Sequence, residues 1–288
     1  MTNSLFNQTT NSRDAEDVLS LETQLAVSHQ TPAQLRDSEK NYHKFTVSEL
    51  DSRMRNLHWQ EMFDVLEIRN RTILVQQPDY YQLLDKLIVN QPLKIWKNKI
   101  RFTILHEMSK YLTRDFGQAR FEMFDRILYG RLVNKPRWMQ MIEDVNKYIG
   151  ELFGQLYVQR YFPHQAKERT LNLTNHLIDV YRQRIQRNQW MSEETKEEAL
   201  IKLTAMKTKI GYPEQWKSYM SVDINRRSYF QSMCSIFQYS YRKKIQDLNR
   251  QPDRDEWLVP PQTVNAFYVR IFFAIVFFVT IRCLESFI

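Results

Sequence analysis

Three features of the 288-residue chain predict a mainly α fold with a few short strands. Glycine occurs only five times, while the good helix formers Leu, Gln, Lys, Glu and Arg are abundant. Apolar residues recur at helical spacing along most of the length. Helix starts and stops punctuate that pattern. Charged residues at 26% and apolar ones at 43% describe a globular chain, long enough for one large domain or two ordinary ones.

The elements follow in order. Residues 1–13, rich in Asn, Thr and Ser, are expected to be disordered. An early helix carries Val18, Leu21 and Leu25 as its apolar stripe. "TVSEL" at 46–50 is a capping box, in which Thr46 caps the backbone and Glu49 reaches back. A short helix is expected over 58–67. Ile73, Leu74 and Val75 form a compact apolar run before Pro78, the pattern of a short strand. Tyr80, Leu83, Leu84 and Leu87 restore helical spacing, and Pro92 then suits the first residue of a long helix to about Phe116. Further helices are expected over 118–129, 137–160, 164–188 and 192–209. In the last, Ser192 is the cap, Glu193 and Glu194 favour the positive end, and Lys207 and Lys209 favour the negative end. Gly211 and Pro213 would stop it. A final helix is expected over 224–249, then a polar connector, then a strand at "QTVNAFY".

Composition excludes several function classes. The net charge of +8 is spread among interspersed acids and bases with no run of five like charges, so it reads as a solvated basic surface and not as a nucleic-acid site. Tyr239, Tyr241, Arg242, Lys243 and Lys244 interleave aromatics with cations, but the patch is short and diluted by Asp247. Two cysteines, Cys234 and Cys283, make neither a disulfide framework nor a Cys-rich zinc site. The polar N-terminus lacks the apolar core of a signal peptide. No Gly-rich phosphate loop and no G-x-S-x-G elbow occurs.

"ILHEMSKYL" at 104–112 comes near to a zinc-peptidase helix. That chemistry needs imidazoles at i and i+4 to hold the metal, with the glutamate between them as general base. His106 and Glu107 are in place, but position 110 is Lys, a cation that cannot ligate zinc. The expectation is a partly buried His106 and a solvent-facing Glu107–Lys110 pair. His29, His43, His58, His164 and His176 are scattered, with no pair at ligand spacing. "TVNAFY" at 263–268 is different in kind. A free strand edge can take an extended peptide, and the carboxamide of Asn265 can hold that peptide's backbone from the side.

Several ordered motifs resemble neprilysin-type (M13) zinc metallopeptidases. They are "RDFGQARFEMF" at 114–124, "PRW" at 136–138, "IGELFGQLYVQRYFP" at 149–163, "WMSEETKEEALIKLTAMKTKIGYPEQW" at 190–216 and "DRDEWLVPPQTVNAFY" at 253–268. The resemblance implies a secreted or membrane-associated zinc endopeptidase acting on peptides. It divides the chain into a helical N-terminal domain at 14–250, the start of the catalytic part at 251–268 and an apolar tail at 269–288 unlike the family. It assigns substrate-backbone binding to Asn265 and Ala266, flanked by Phe267 and Tyr268. The family's H-E-x-x-H and E-x-x-x-D ligands are absent from the sequence, so zinc is expected in the full-length family and none in this chain, which is expected to be an inactive fragment. A non-catalytic peptide-binding or protein-interaction module is the alternative. The oily run Ile271–Ile281 is eleven residues, short of the ~20 a helix needs to cross a bilayer. Membrane attachment is therefore not expected, and a strand or aggregation-prone segment is.

Overall fold

The computed structural model describes residues 12–68, 72–248, 250–269 and 274–277, with side chains of residues 267–269 and 274–277 left aside. The expected mainly α fold with a few short strands is observed. The chain divides into two compact units, one of residues 1–134 and 224–248, the other of residues 135–223 and 249–288.

The first unit opens with α1, Ser12–Ala26. The expectation of disorder over 1–13 lies outside the described residues except at Ser12 and Arg13, which are helical. Val18, Leu21 and Leu25 are buried, as their spacing predicts. Leu21 and Leu25 close a cluster with Leu87, against which Tyr80, Leu83, Leu84, Ile95 and Trp96 pack. Those residues come from α5 (Pro78–Asn90) and α6 (Leu93–Met108), numbered after the short helices α2 (Pro32–Leu35), α3 (Val47–Arg53) and α4 (Trp59–Val65).

A second cluster joins Phe45, Leu50, Met54, Trp59, Phe63 and Val75. It is closed by a two-stranded antiparallel ribbon of β1 (His43–Phe45) and β2 (Ile73–Val75), with Lys44 opposite Leu74. The capping box forms. Glu49 N–H donates to Thr46 Oγ1 at 3.2 Å and Thr46 N–H donates to Glu49 Oε2 at 2.7 Å. Such a cap contributes about 1 kcal/mol.

Helix boundaries in this unit differ from the sequence reading. α6 stops at Met108 and does not run to Phe116. Buried Ser109 turns its hydroxyl back to His106 O at 2.7 Å, opening a 3-10 turn over Ser109–Tyr111. A new helix, α7 (Arg114–Arg120), passes directly into a π-helical stretch, Phe121–Leu128. The helix expected over 224–249 starts late, as α11 (Tyr229–Asp247), because Asn225 Oδ1 accepts the Arg227 and Ser228 N–H groups in a turn and Ser228 takes the cap.

The second unit holds α8 (Arg137–Tyr161), α9 (His164–Arg187) and α10 (Glu193–Thr204). Ser192 caps α10 as expected, accepting from Thr195 N–H at 3.2 Å. The helix does not reach residue 209, however. Lys207–Ile210 is a strand, β3, so Lys207 and Lys209 complement no helix terminus, and Gly211 ends a strand. Both lysines are drawn to chain far away in sequence. Lys207 Nζ meets Asp255 Oδ1 at 2.5 Å and Lys209 Nζ donates to Glu256 O at 2.7 Å. β3 belongs to a three-stranded sheet of order β3-β5-β4, with β4 at Ala266–Val269 and β5 at Ala274–Phe277. β5 runs parallel to β3 and antiparallel to β4. Part of the oily tail is thus the central strand of this sheet, and the rest of it lies outside the described residues. No helix among the described residues is long and apolar enough to cross a membrane.

Candidate peptide-binding strand and its anchorage

Asn265 and Ala266 sit where the connector becomes β4. The strand begins at Ala266, four residues later than "QTVNAFY" alone suggests, because Gln262 and Thr263 belong to a turn closed by Thr263 N–H donating to Pro260 O at 3.0 Å. Pro261 occupies the second position of that turn, where its fixed φ is favourable. Asn265 and Ala266 are both exposed. Asn265 Oδ1 accepts from Ala266 N–H at 2.8 Å, while its amide nitrogen has no partner among the described residues. β5 pairs with one edge of β4, and no described strand pairs with the other. An edge of this kind offers N–H and C=O groups to an extended chain.

Behind that edge, the connector at 254–262 is tied down along its length. Arg254 donates to Ala205 O at 2.9 Å. Asp255 takes Lys207, which holds its carboxyl below the usual carboxylate range. Lys209 is buried, and that burial pulls its ammonium below the ordinary lysine value, with the nearby Asp255 opposing the shift. Lys217 is a hub: its N–H donates to buried Glu151 Oε1 at 2.6 Å, and its Nζ reaches Glu256 Oε1 at 3.5 Å and Trp257 O at 3.3 Å. The last stretch lies on α8. A Cβ on Gly150 would meet Pro260 Cγ at 2.8 Å, and one on Gly154 would meet Pro261 Cδ at 2.7 Å. The two glycines are four apart on a helix and so share one face, which lets the proline pair approach the backbone. Sequence reasoning passed over this seat, although two of the chain's five glycines at that spacing were the signal for it.

The described residues do not fit a zinc ion. No group of three His, Cys, Asp or Glu is placed to hold a metal among them. His106 lies on α6 with its ring 4.0 Å from that of Phe124 and stacked toward Phe102 at 6.1 Å. Its Nδ1 is buried without a hydrogen-bond partner. Glu107 is exposed as expected, and Lys110 has moved into the 3-10 turn, its ammonium 4.7 Å from the Tyr111 ring centre. Burial lowers the His106 pKa below its ordinary 6.5, with the Arg120 cation adding to the shift, Glu107 opposing it and Lys99 adding slightly. The folded state then binds fewer protons than the unfolded one below pH 6.5. Stability is expected to fall as pH drops from 6.5 through the folded-state pKa. Urea midpoints of wild type and His106→Leu across pH 7.5 to 5 check this: the variant's midpoint should change less over that window, and parallel curves refute it.

Comparison with known proteins gives one consistent answer. The family model of peptidase family M13 matches residues 1–213. Neprilysin-1 of Trittame loki is 27% identical over 274 residues, covering 88% of this chain and 38% of that protein. Endothelin-converting enzyme-like 1 of Mus musculus is 25% identical over 270 residues, covering 88% of this chain and 34% of its own. The zinc metalloprotease Zmp1 of Mycobacterium tuberculosis, in its open state, superposes with a TM-score of 0.85 at 30% identity, over 93% of this chain and 42% of that one. PepO of Lactobacillus rhamnosis shares the fold, with a TM-score of 0.85 at 22% identity. The chain spans somewhat over a third of the length of these curated relatives. With a family match over residues 1–213 and ordered motifs from 114 to 268, the chain belongs to peptidase family M13.

Proposed function

We propose that these 288 residues form the helical part of an M13 zinc metallopeptidase together with its first substrate-holding strand, and that they bind extended peptides without hydrolysing them. The observation that carries this reading is the edge of β4 that no described strand pairs with, with Asn265 and Ala266 exposed at its start. An extended peptide adds alongside β4, exchanging main-chain hydrogen bonds, while the Asn265 amide nitrogen donates to a peptide carbonyl. Residues 251–268 then begin the catalytic part of the whole protein. The sequence contains no H-E-x-x-H, so we place the zinc ligands and the general base outside these residues. Zinc, when bound there, would polarise the scissile carbonyl and activate water.

The purified chain, a panel of fluorescent peptides with apolar residues, and zinc analysis test the proposal. Micromolar binding is expected, weakened at least about tenfold by Asn265→Ala, the equivalent of ~1.4 kcal/mol. No turnover and no stoichiometric zinc should accompany it. Cleavage by the zinc-loaded chain would refute the assignment of hydrolysis elsewhere, and a panel that finds no binding would refute the strand's role in this chain.

A further inference from the structure

The anchorage of β4 converges on one side chain. α8 is not a continuous helix: Ile149 has φ −131° and ψ 29°, a break inside the element. A break of this kind frees backbone groups that a helix would otherwise satisfy. Gln262 meets that break. Its Nε2 donates to Gly150 O at 2.9 Å and to Asn146 Oδ1 at 2.7 Å, one partner on each side of Ile149. An amide nitrogen has two protons, so both are used. Its Oε1 is buried and points along the glycine face, such that a Cβ on Gly154 would lie 2.9 Å from it. Gln262 therefore lies between the kink and the two-glycine seat, immediately after Pro260 and Pro261. Only Thr263, Val264 and Asn265 separate it from the first residue of β4.

We infer that Gln262 is a positioning residue for the peptide-binding strand: by pinning the turn at Pro260–Thr263 to the kink of α8, it fixes where the free edge of β4 begins. This rests on the peptide-binding reading above. The other side-chain hydrogen bonds to the connector act upstream, at residues 254–257. At the turn, Pro260 and Pro261 rest on the α8 glycines by packing alone, which sets distance but no hydrogen-bonded register. With the Gln262 amide in place, the turn is held on both sides of the kink. Without its donors, Gly150 O and Asn146 lose their partner and the strand start loses its reference point.

The test uses the full 288-residue chain and three variants. Gln262→Met keeps length and shape but removes both donors. Gln262→Glu places a carboxylate, which accepts and cannot donate, against Gly150 O. Gln262→Asn keeps the amide on a shorter stem. Two readouts are taken: amide hydrogen exchange of residues 266–269 against α9, and affinity for a fluorescent peptide that wild type binds. For Met and Glu, exchange in β4 should speed at least about tenfold while α9 keeps its protection, and the peptide Kd should rise in proportion. Asn should recover part of both. Unchanged exchange in β4, or an equal loss of protection in β4 and α9, overturns the inference, the second because it marks a residue that serves global stability alone. Should wild type bind no peptide, the peptide-binding reading fails separately, and the exchange result still decides whether Gln262 positions the strand.

Discussion

Gly211→Ala is expected to destabilise the second unit by about 2–5 kcal/mol, through two costs that add. Gly211 has φ +75°, and Tyr212 N–H donates to Ile210 O at 2.9 Å across it. A three-residue turn with positive φ at its centre is a strained form that glycine accommodates and an L side chain does not. A left-handed conformation costs a non-glycine residue roughly 1–2 kcal/mol. The second cost is steric. A Cβ at this position would stand 2.7 Å from Phe162 Cε1 and 2.9 Å from Cζ. That ring cannot swing away, being 4% exposed and set edge-on to Tyr212 at 5.8 Å. Tyr212 is fixed in turn by Trp216, stacked at 6.1 Å, and by buried Lys167, whose Nζ lies 4.1 Å from its ring centre. Overpacking of this sort costs about 1–3 kcal/mol. Gly130→Ala separates the two contributions, because Gly130 has φ +67° with nothing within 4 Å of an added Cβ. It should show the conformational cost alone. Urea unfolding at 25 °C reads both, and equal losses for the two variants would refute the steric part.

The same glycine shows where sequence stops informing structure. Gly211 and Pro213 read as a helix stop because "KLTAMKTKIG" keeps good helix formers up to the glycine. The chain leaves the helix at Thr204 instead, since Lys207, Lys209 and Ala205 O find partners at Asp255, Glu256 and Arg254, almost fifty residues on. Local propensity carries no information about partners at that distance. Where the deciding interactions are local, the sequence reading succeeds: the Val18, Leu21 and Leu25 stripe, the Thr46–Glu49 box and the Ser192 cap each involve residues within one or two turns. The break at Ile149 and the π-helical stretch at Phe121–Leu128 have no local signature in composition or spacing. For the candidate site, Asn265 was legible from its carboxamide in a strand pattern and Ala266 only through the family motif, and the structure adds the strand edge that starts at Ala266. Gln262, lying in the same motif, was not singled out because its two acceptors, Asn146 and Gly150, are over a hundred residues upstream.

Leu50→Ala should cost the first unit about 2–5 kcal/mol, the range for emptying a leucine site in a packed core. Leu50 is 0% exposed and stands in a cluster with Phe45, Met54, Trp59, Phe63 and Val75. The substitution does not weaken α3 as a helix, since alanine has the higher propensity, and the Thr46–Glu49 cap at its start is untouched. The loss therefore reports burial and cavity. Leu50→Met, which nearly conserves volume, should cost less than about 1.5 kcal/mol, and Leu19→Ala, at a site 66% exposed, should stay within about 0.5 kcal/mol. The damage should also have a place. β1 and β2 are three residues each and form a ribbon of two strands, an arrangement marginal in water without apolar cover. Phe45 and Val75 supply that cover only through the cluster that Leu50 fills. Amide exchange in Leu50→Ala should accordingly quicken at His43–Phe45 and Ile73–Val75 before it does in α1, whose Leu21 and Leu25 belong to a separate cluster. A loss below 1 kcal/mol, or exchange rising uniformly through α1 and the ribbon, would show that Leu50 is not what holds the two strands together.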